Sequence, residues 1–147
     1  MKKYIFTLMT GLFLITSYGF AQSGTKIEAE NFSKKSSVIA VKKGDGDSVL
    51  SKFYRNTFVT YNEVDFGQGT EQIRLRVASG SKSEERPQLE VKLGDRKGKS
   101  LGKIDVETKG WSKYQEYVLK IPKTEGKQTI TIVSLGSPVL FSWFSLD

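Results

Sequence analysis

The sequence predicts an all-β protein, an antiparallel β-sandwich. Three observations carry that prediction. From Lys26 onward apolar residues recur with a period close to two, no window holds a convincing helical stripe, and the runs are separated at nearly even spacing by breaks rich in Gly, Asp, Ser and Lys. A period of two sends successive side chains to opposite faces, so each run can bury one face and wet the other. Two sheets stacked on their dry faces satisfy many such runs at once.

In chain order, the predicted strands are "KIEAENF", "SSVIAVKK", "TFVTYNEVDF", "EQIRLRVASG", "QLEVKLG", "GKIDVET", "YQEYVLKI", "QTITIVSL" and "VLFSWFSL". The clearest are "EQIRLRVASG", where Ile73, Leu75 and Val77 alternate with Gln72, Arg74 and Arg76, and "QLEVKLG", where Leu89, Val91 and Leu93 repeat the pattern. Turn-formers fall at 44–47, 67–69, 80–87, 94–98, 109–111 and 122–126. One strand changes phase. Val59 and Tyr61 share a face, but Val64 and Phe66 lie an odd number of places on, so an extra residue at Asn62 or Glu63 is needed to keep all four inward: a β-bulge.

Ahead of these strands, residues 1–21 read as a signal peptide. Lys2 and Lys3 precede an apolar run, and Gly19 and Ala21 occupy the −3 and −1 positions of a cleavage site after Ala21. The predicted location is the periplasm or the outside of the cell, with no membrane anchor retained. Residues 22–147 then make one domain with room for one core. The chain has no cysteine, so packing or a bound ion must supply the stability that disulfides give many exported domains.

Dropping Lys2 and Lys3 from the 23 basic residues leaves 21 against 16 acidic ones, a formal charge of +5. The basic residues are scattered, and the densest group, "GDRKGKSLGK", has few aromatics beside it. That is a poor match to nucleic acid, which favours a basic stripe with stacking rings. An anionic glycan fits better. With no histidine and no cysteine, a histidine triad, a thiol nucleophile and an ordinary zinc site are excluded, and no phosphate-binding glycine loop is present. Glycoside cleavage would need two carboxyls facing each other across a cleft, which a small sandwich with acids on solvated strand faces hosts badly. The protein is therefore expected not to be an enzyme, and binding remains.

A sugar ring has a flat C–H face that an aromatic plate can cover while the ring-edge hydroxyls meet polar groups, so exposed loop aromatics are natural sugar platforms. Most rings here fall on strand positions: Phe66, Tyr117, Phe141 or Trp143, and one of Phe58 and Tyr61. The loop candidates are Trp111, after Gly110, and the pair Phe53 and Tyr54 before "RNT".

Taken together, "IEAENF" at 27–32, the segment ending in Phe58, Val59 and Tyr61, "IRLRVASG" at 73–80, and "KGWSKYQEY" followed by the terminal "SWFSL" resemble carbohydrate-binding module family 6. The resemblance implies a jelly-roll sandwich of the galactose-binding-like kind. It also implies polysaccharide binding, to β-glucan, xylan or algal galactan, by a monomer acting beside glycoside hydrolases. Trp111 then matches one wall of a sugar cleft at the loop end of the sandwich. An ungapped match puts the opposite wall at Lys52, and a small shift brings in Phe53 or Tyr54, with Tyr54 preferred. Where the family carries an asparagine three residues before the terminal aromatic, this chain has Leu140, and Arg55 or Asn56 could supply the missing polar contact. A sandwich that has lost sugar binding and serves an envelope or structural role is the alternative implied by Leu140. A second glycan face could use Arg74, Arg76, Glu90 and Lys92. Finally, Glu28 and Glu30 stand two apart, so their carboxylates point the same way on a strand, and hard oxygen ligands suit calcium. The resemblance implies a structural calcium there, with Asp147 as its further acid.

Overall fold

The structure is a computed structural model and describes residues 25–147. The predicted leader lies outside the described residues. Eleven strands follow in order: β1 (Thr25–Glu28), β2 (Lys34–Lys35), β3 (Ala40–Lys43), β4 (Ser48–Phe53), β5 (Phe58–Asp65), β6 (Thr70–Ser79), β7 (Gln88–Leu93), β8 (Lys99–Asp105), β9 (Gly110–Thr124), β10 (Lys127–Ser134) and β11 (Val139–Leu146). No helix occurs among the described residues.

All pairings are antiparallel. One sheet runs β3-β4-β11-β6-β9 and the other β2-β5-β10-β7-β8. β6 occupies one side of β11 along nearly its whole length. On the other side β4 pairs with the start of β11 and β1 with its end, so β1 and β4 lie in line along one edge. The inward positions of both sheets form a single core, in which Phe53, Ile73, Leu75, Leu89, Ile132 and Phe144 are fully buried. Fully burying such side chains stabilises the fold by about 1.5–3 kcal/mol each. Phe141 lies between Phe53 and Phe144, with ring centroids 6.2 and 6.4 Å away. Tyr61 meets Phe144 edge-on at 4.9 Å, and its hydroxyl donates to the Ala29 carbonyl at 2.6 Å, tying β5 to the segment that follows β1 in the opposite sheet.

The phase change in β5 is a bulge, as the sequence requires. Gln128 pairs with Val64 and Ile130 with Tyr61, so three steps on β5 answer two on β10, and Glu63 adopts φ 53°. Val59, Tyr61, Val64 and Phe66 are all buried. A strand that the alternation does not reveal is β4. There Val139 pairs with Phe53 and Phe141 with Leu50, so an extra residue sits on β4, and Lys52 takes φ 55°. The bulge brings Leu50 and Phe53, three apart, onto the same inward face. Trp143, unlike Phe141, is only partly buried, and the Lys26 ammonium lies 5.8 Å from its ring.

Candidate functional site

Four neighbouring strands, β4, β11, β6 and β9, frame the site at one end of the first sheet. Here Val139 of β11 pairs with Phe53 of β4, and Leu140 pairs with Ala78 of β6. The ladder between β6 and β9 is then interrupted. Val77 pairs with Gln115 and Ser79 with Gly110, so residues 111–114 stand opposite Ala78 alone. Four residues do not fit where one belongs, and the surplus arches away from the sheet. Gly110 starts the arch at φ 141°, a region open to glycine and closed to most side chains. The arch carries the Trp111 indole to the rim, where it is 45% exposed.

The other side of the site is set by the turn after β4. The amide and hydroxyl of Thr57 both donate to the Tyr54 carbonyl, at 2.9 and 2.6 Å, and the Tyr54 amide donates to the Thr57 hydroxyl at 3.0 Å. Asn56 takes φ 65°, which asparagine tolerates in turns. The amides of Arg55 and Asn56 donate to the carbonyls of Gly136 and Ser134, fixing the turn to the end of β10. Tyr54 leaves this anchored turn 38% exposed.

Trp111 and Tyr54 border one open groove of about 460 Å³, with Pro138, Val139 and Leu140 also lining it. β4 and β9 are three strand spacings apart, about 14 Å at ~4.8 Å each. The two side chains thus reach the groove from opposite sides of β11 and β6.

The carbohydrate binding module (family 6) pattern matches residues 28–147. The chain belongs to carbohydrate-binding module family 6. The module is 31% identical over 100 residues to an endo-1,4-beta-xylanase A of Thermoclostridium stercorarium, a match covering 67% of this chain and 19% of that enzyme. The chain thus aligns with under a fifth of that relative. A family 6 module from Clostridium stercorarium, solved in complex with cellobiose, superposes with a TM-score of 0.76 at 25% identity, over 84% of this chain and 92% of that one. A beta-1,3-glucan binding module from Bacillus halodurans gives a TM-score of 0.73 at 26% identity, over 82% and 93%.

Of the residues the sequence puts forward, the groove of the module gathers Trp111 and Tyr54. Phe53 is corrected: it is 0% exposed in the core, because the β4 bulge turns it inward, and it cannot touch a ligand. Arg55 and Asn56 are not among the residues lining the groove. Arg55 is paired with Glu85, and Asn56 serves the turn. Leu140, only 7% exposed, lines the groove where an amide was expected. The second glycan face is also corrected, since Arg74 and Arg76 lie on β6 in one sheet and Glu90 and Lys92 on β7 in the other.

The proposed calcium ligands of the module do not converge. Glu28 pairs with Trp143 in register, and Asp147 lies four residues further along, about 13 Å away at ~3.4 Å per residue. Glu28 is ion-paired with Lys26 at 2.9 Å and Asp147 with Arg74 at 3.1 Å, while Glu30 lies beyond the end of β1. No three His, Cys, Asp or Glu side chains among the described residues meet at a point suited to a metal ion. As a set, Glu28, Glu30 and Asp147 do not fit calcium.

Sequence reasoning missed Gly80. A Cβ placed there would lie 2.6 Å from Cδ1 of Trp111 and 2.8 Å from both Cγ and Nε1, so the indole rests directly on the glycine backbone. Its signal was its position at the end of "VASG", directly after Ser79, which pairs with Gly110 at the foot of the arch. Gly80→Ala is expected to push the indole off its seat, weakening glycan binding about 10-fold and shifting tryptophan emission, while the fold loses no more than about 1 kcal/mol. Titration with the bound glycan and a melting curve check both halves.

On the far side of Trp111 lies a second hollow of about 340 Å³, to which Lys43, Asp45 and Tyr114 contribute. Arg76 grips Asp45 in a two-point ion pair, Nε to Oδ2 at 2.5 Å and Nη2 to Oδ1 at 3.0 Å. These bonds from Arg76 hold the Asp45 carboxyl below its ordinary value, against the opposing effect of burial. A lowered carboxyl pKa means stability that is present above the unfolded value near 3.8 and is lost as pH falls through the folded value. Asp45→Asn is expected to cost about 1–2 kcal/mol at pH 7. Urea melts across pH should show that gap closing below pH 3.8. A gap independent of pH would show that the pair contributes nothing through its charge.

A larger hollow of about 610 Å³ between the β6–β7 and β8–β9 loops is lined by Glu84, Glu85, Asp105 and Glu107 with Arg86 and Lys109, and by no aromatic ring. It offers a sugar no stacking plate.

Proposed function

We propose that the module binds a polysaccharide without cleaving it, one sugar ring lying on the Trp111 indole with Tyr54 flanking it. The observation that carries this reading is a pair of half-exposed aromatic side chains bordering one open groove, Trp111 seated on Gly80 and Tyr54 carried by a turn whose backbone is hydrogen-bonded. Stacking supplies apolar contact along a sugar face, and the nearby Ser51 and Lys52 offer polar groups to the ring-edge hydroxyls. Contact on so open a surface is shallow, so affinity should be modest, micromolar to millimolar, or about −4 to −8 kcal/mol.

The leader reading of residues 1–21 would deliver the module to the periplasm or beyond, where polysaccharides are met. The xylanase relative suggests a setting beside glycoside hydrolases, where several modules together gain by avidity. The chain has no histidine or cysteine, and its groove is lined by no carboxylate between Trp111 and Tyr54, which supports a binding role over a hydrolytic one.

Electrophoresis of the folded protein through gels containing soluble β-glucan, xylan or galactan tests the proposal. Retardation by at least one of them is the expected result. Passage unhindered through all of them would instead favour a structural sandwich, a reading that the apolar Leu140 in the groove supports.

A further inference from the structure

We infer that the groove selects anionic glycans, through Lys42, Lys43 and Lys52, and that the ligand carries a carboxylate or a sulfate ester next to the ring stacked on Trp111. This deepens the proposed function and rests on that reading of the groove.

The two hollows on either side of Trp111 share Lys42, Trp111 and Leu140 among their lining residues, so they are parts of one trough. Lys52 stands on the Tyr54 side, Lys43 on the Tyr114 side, and Lys42 serves both. All three are exposed, and none is ion-paired among the described residues. Elsewhere on the module lysines do find carboxylates: Lys26 with Glu28, Lys109 with Glu107, and Lys92 with Glu90. The one carboxylate lining the trough, Asp45, is already neutralised by Arg76. Three uncompensated ammonium groups thus surround an aromatic plate.

The chemistry of the trough floor points the same way. Leu140 and Val139 offer a neutral sugar no side-chain hydrogen bond, so polar recognition falls to the lysines, to Ser51 and Ser112, and to the polar edges of Tyr54, Trp111 and Tyr114, and of these only the lysines carry charge. An ammonium is a compact, strongly hydrated point charge that suits a carboxylate or sulfate oxygen. The backbone of β4 also favours this use of Lys52: its φ of 55° and the bulge aim the side chain outward, while Leu50 and Phe53 turn to the core.

The test is calorimetric titration of the folded protein with three oligosaccharides of equal length: a uronic acid oligomer, a sulfated galactan oligomer and a neutral xylan or glucan oligomer. At about 50 mM salt, at least one anionic oligomer should bind about 10-fold tighter than the neutral one, and most of that advantage should vanish at 0.5 M salt as exposed charges are screened. Whichever anionic oligomer wins identifies the group as carboxylate or sulfate. In the triple variant Lys42→Gln, Lys43→Gln, Lys52→Gln, shown to be folded by its melting curve, the anionic-to-neutral affinity ratio should fall toward one. Trp111→Ala should abolish anionic binding as well as neutral.

Equal affinity for anionic and neutral oligomers would overturn the inference while leaving the stacking site in place. So would an anionic preference that survives the triple variant, or anionic binding that survives Trp111→Ala, which would mark general attraction of a polyanion to a basic protein. Failure of every oligomer to bind would instead remove the glycan site itself, and the charge selection with it.

Discussion

Trp111→Ala is expected to abolish glycan retention while leaving the melting temperature nearly unchanged. The indole is 45% exposed and belongs to an arch outside the sheet ladder, so its removal opens no core cavity and should cost the fold about 0.5 kcal/mol or less. Its cost to binding is far larger. Truncating a central aromatic anchor commonly removes about 2 kcal/mol or more, roughly 30-fold or more in affinity. A site whose total affinity is only about −4 to −8 kcal/mol would then drop below practical detection. The two readouts together are diagnostic: binding lost with stability kept places the plate at the sugar, whereas unchanged retention in the gel would show that the glycan binds elsewhere.

Phe53→Ala is expected to behave in the opposite way, destabilising the module by about 3–5 kcal/mol with a fall in melting temperature on the order of 10–20 °C. Phe53 is fully buried beside Phe141, and no disulfide is available to hold the sheets once that ring is gone. Against a total stability of about 5–15 kcal/mol, this is a large share. Urea unfolding measures it directly. Normal stability with selective loss of glycan binding would mean that the ring, and not Tyr54, stands at the groove.

The contrast between Phe53 and Tyr54 shows what a sequence conceals. Alternation is a reliable guide while a strand keeps its phase, and it gave most of the strands, the inward set of β6 and β7, and the β5 bulge, whose signature was four apolar residues that could not otherwise share a face. In β4 the extra residue at Lys52 is the fifth of a strand of six, and only Phe53 follows it, so the pattern has no room to recover. The strand therefore reads as a loop, and Phe53 as a surface ring. Trp111 was legible because Gly110 and the lysines around it mark a turn, although the sequence does not disclose that the turn is an arch within the long strand β9.

Other errors came from quantities that are not local. Arg76 and Lys92 have the same strand-face look, yet strand order assigns them to different sheets. A spacing of two groups Glu28 with Glu30, and the family resemblance adds Asp147, but it is the register of β1 on β11 that sets the separation of Glu28 from Asp147. Pairing partners of remote strands are decided by the whole core, and no window of sequence contains them.

The arch at residues 111–114 leaves the ladder after Gly110 and rejoins it at Gln115, so its own backbone lies outside the hydrogen-bond register that aligns the sheet. Lengthening or rewriting it disturbs no inward-facing residue, and even doubling a loop's length costs only about 0.6 kcal/mol in closure entropy. The platform can therefore be exchanged like a tool bit in a fixed chuck. Libraries randomised across Ser112 and Lys113 should yield folded proteins with new sugar preferences far more often than libraries of equal size placed in β6.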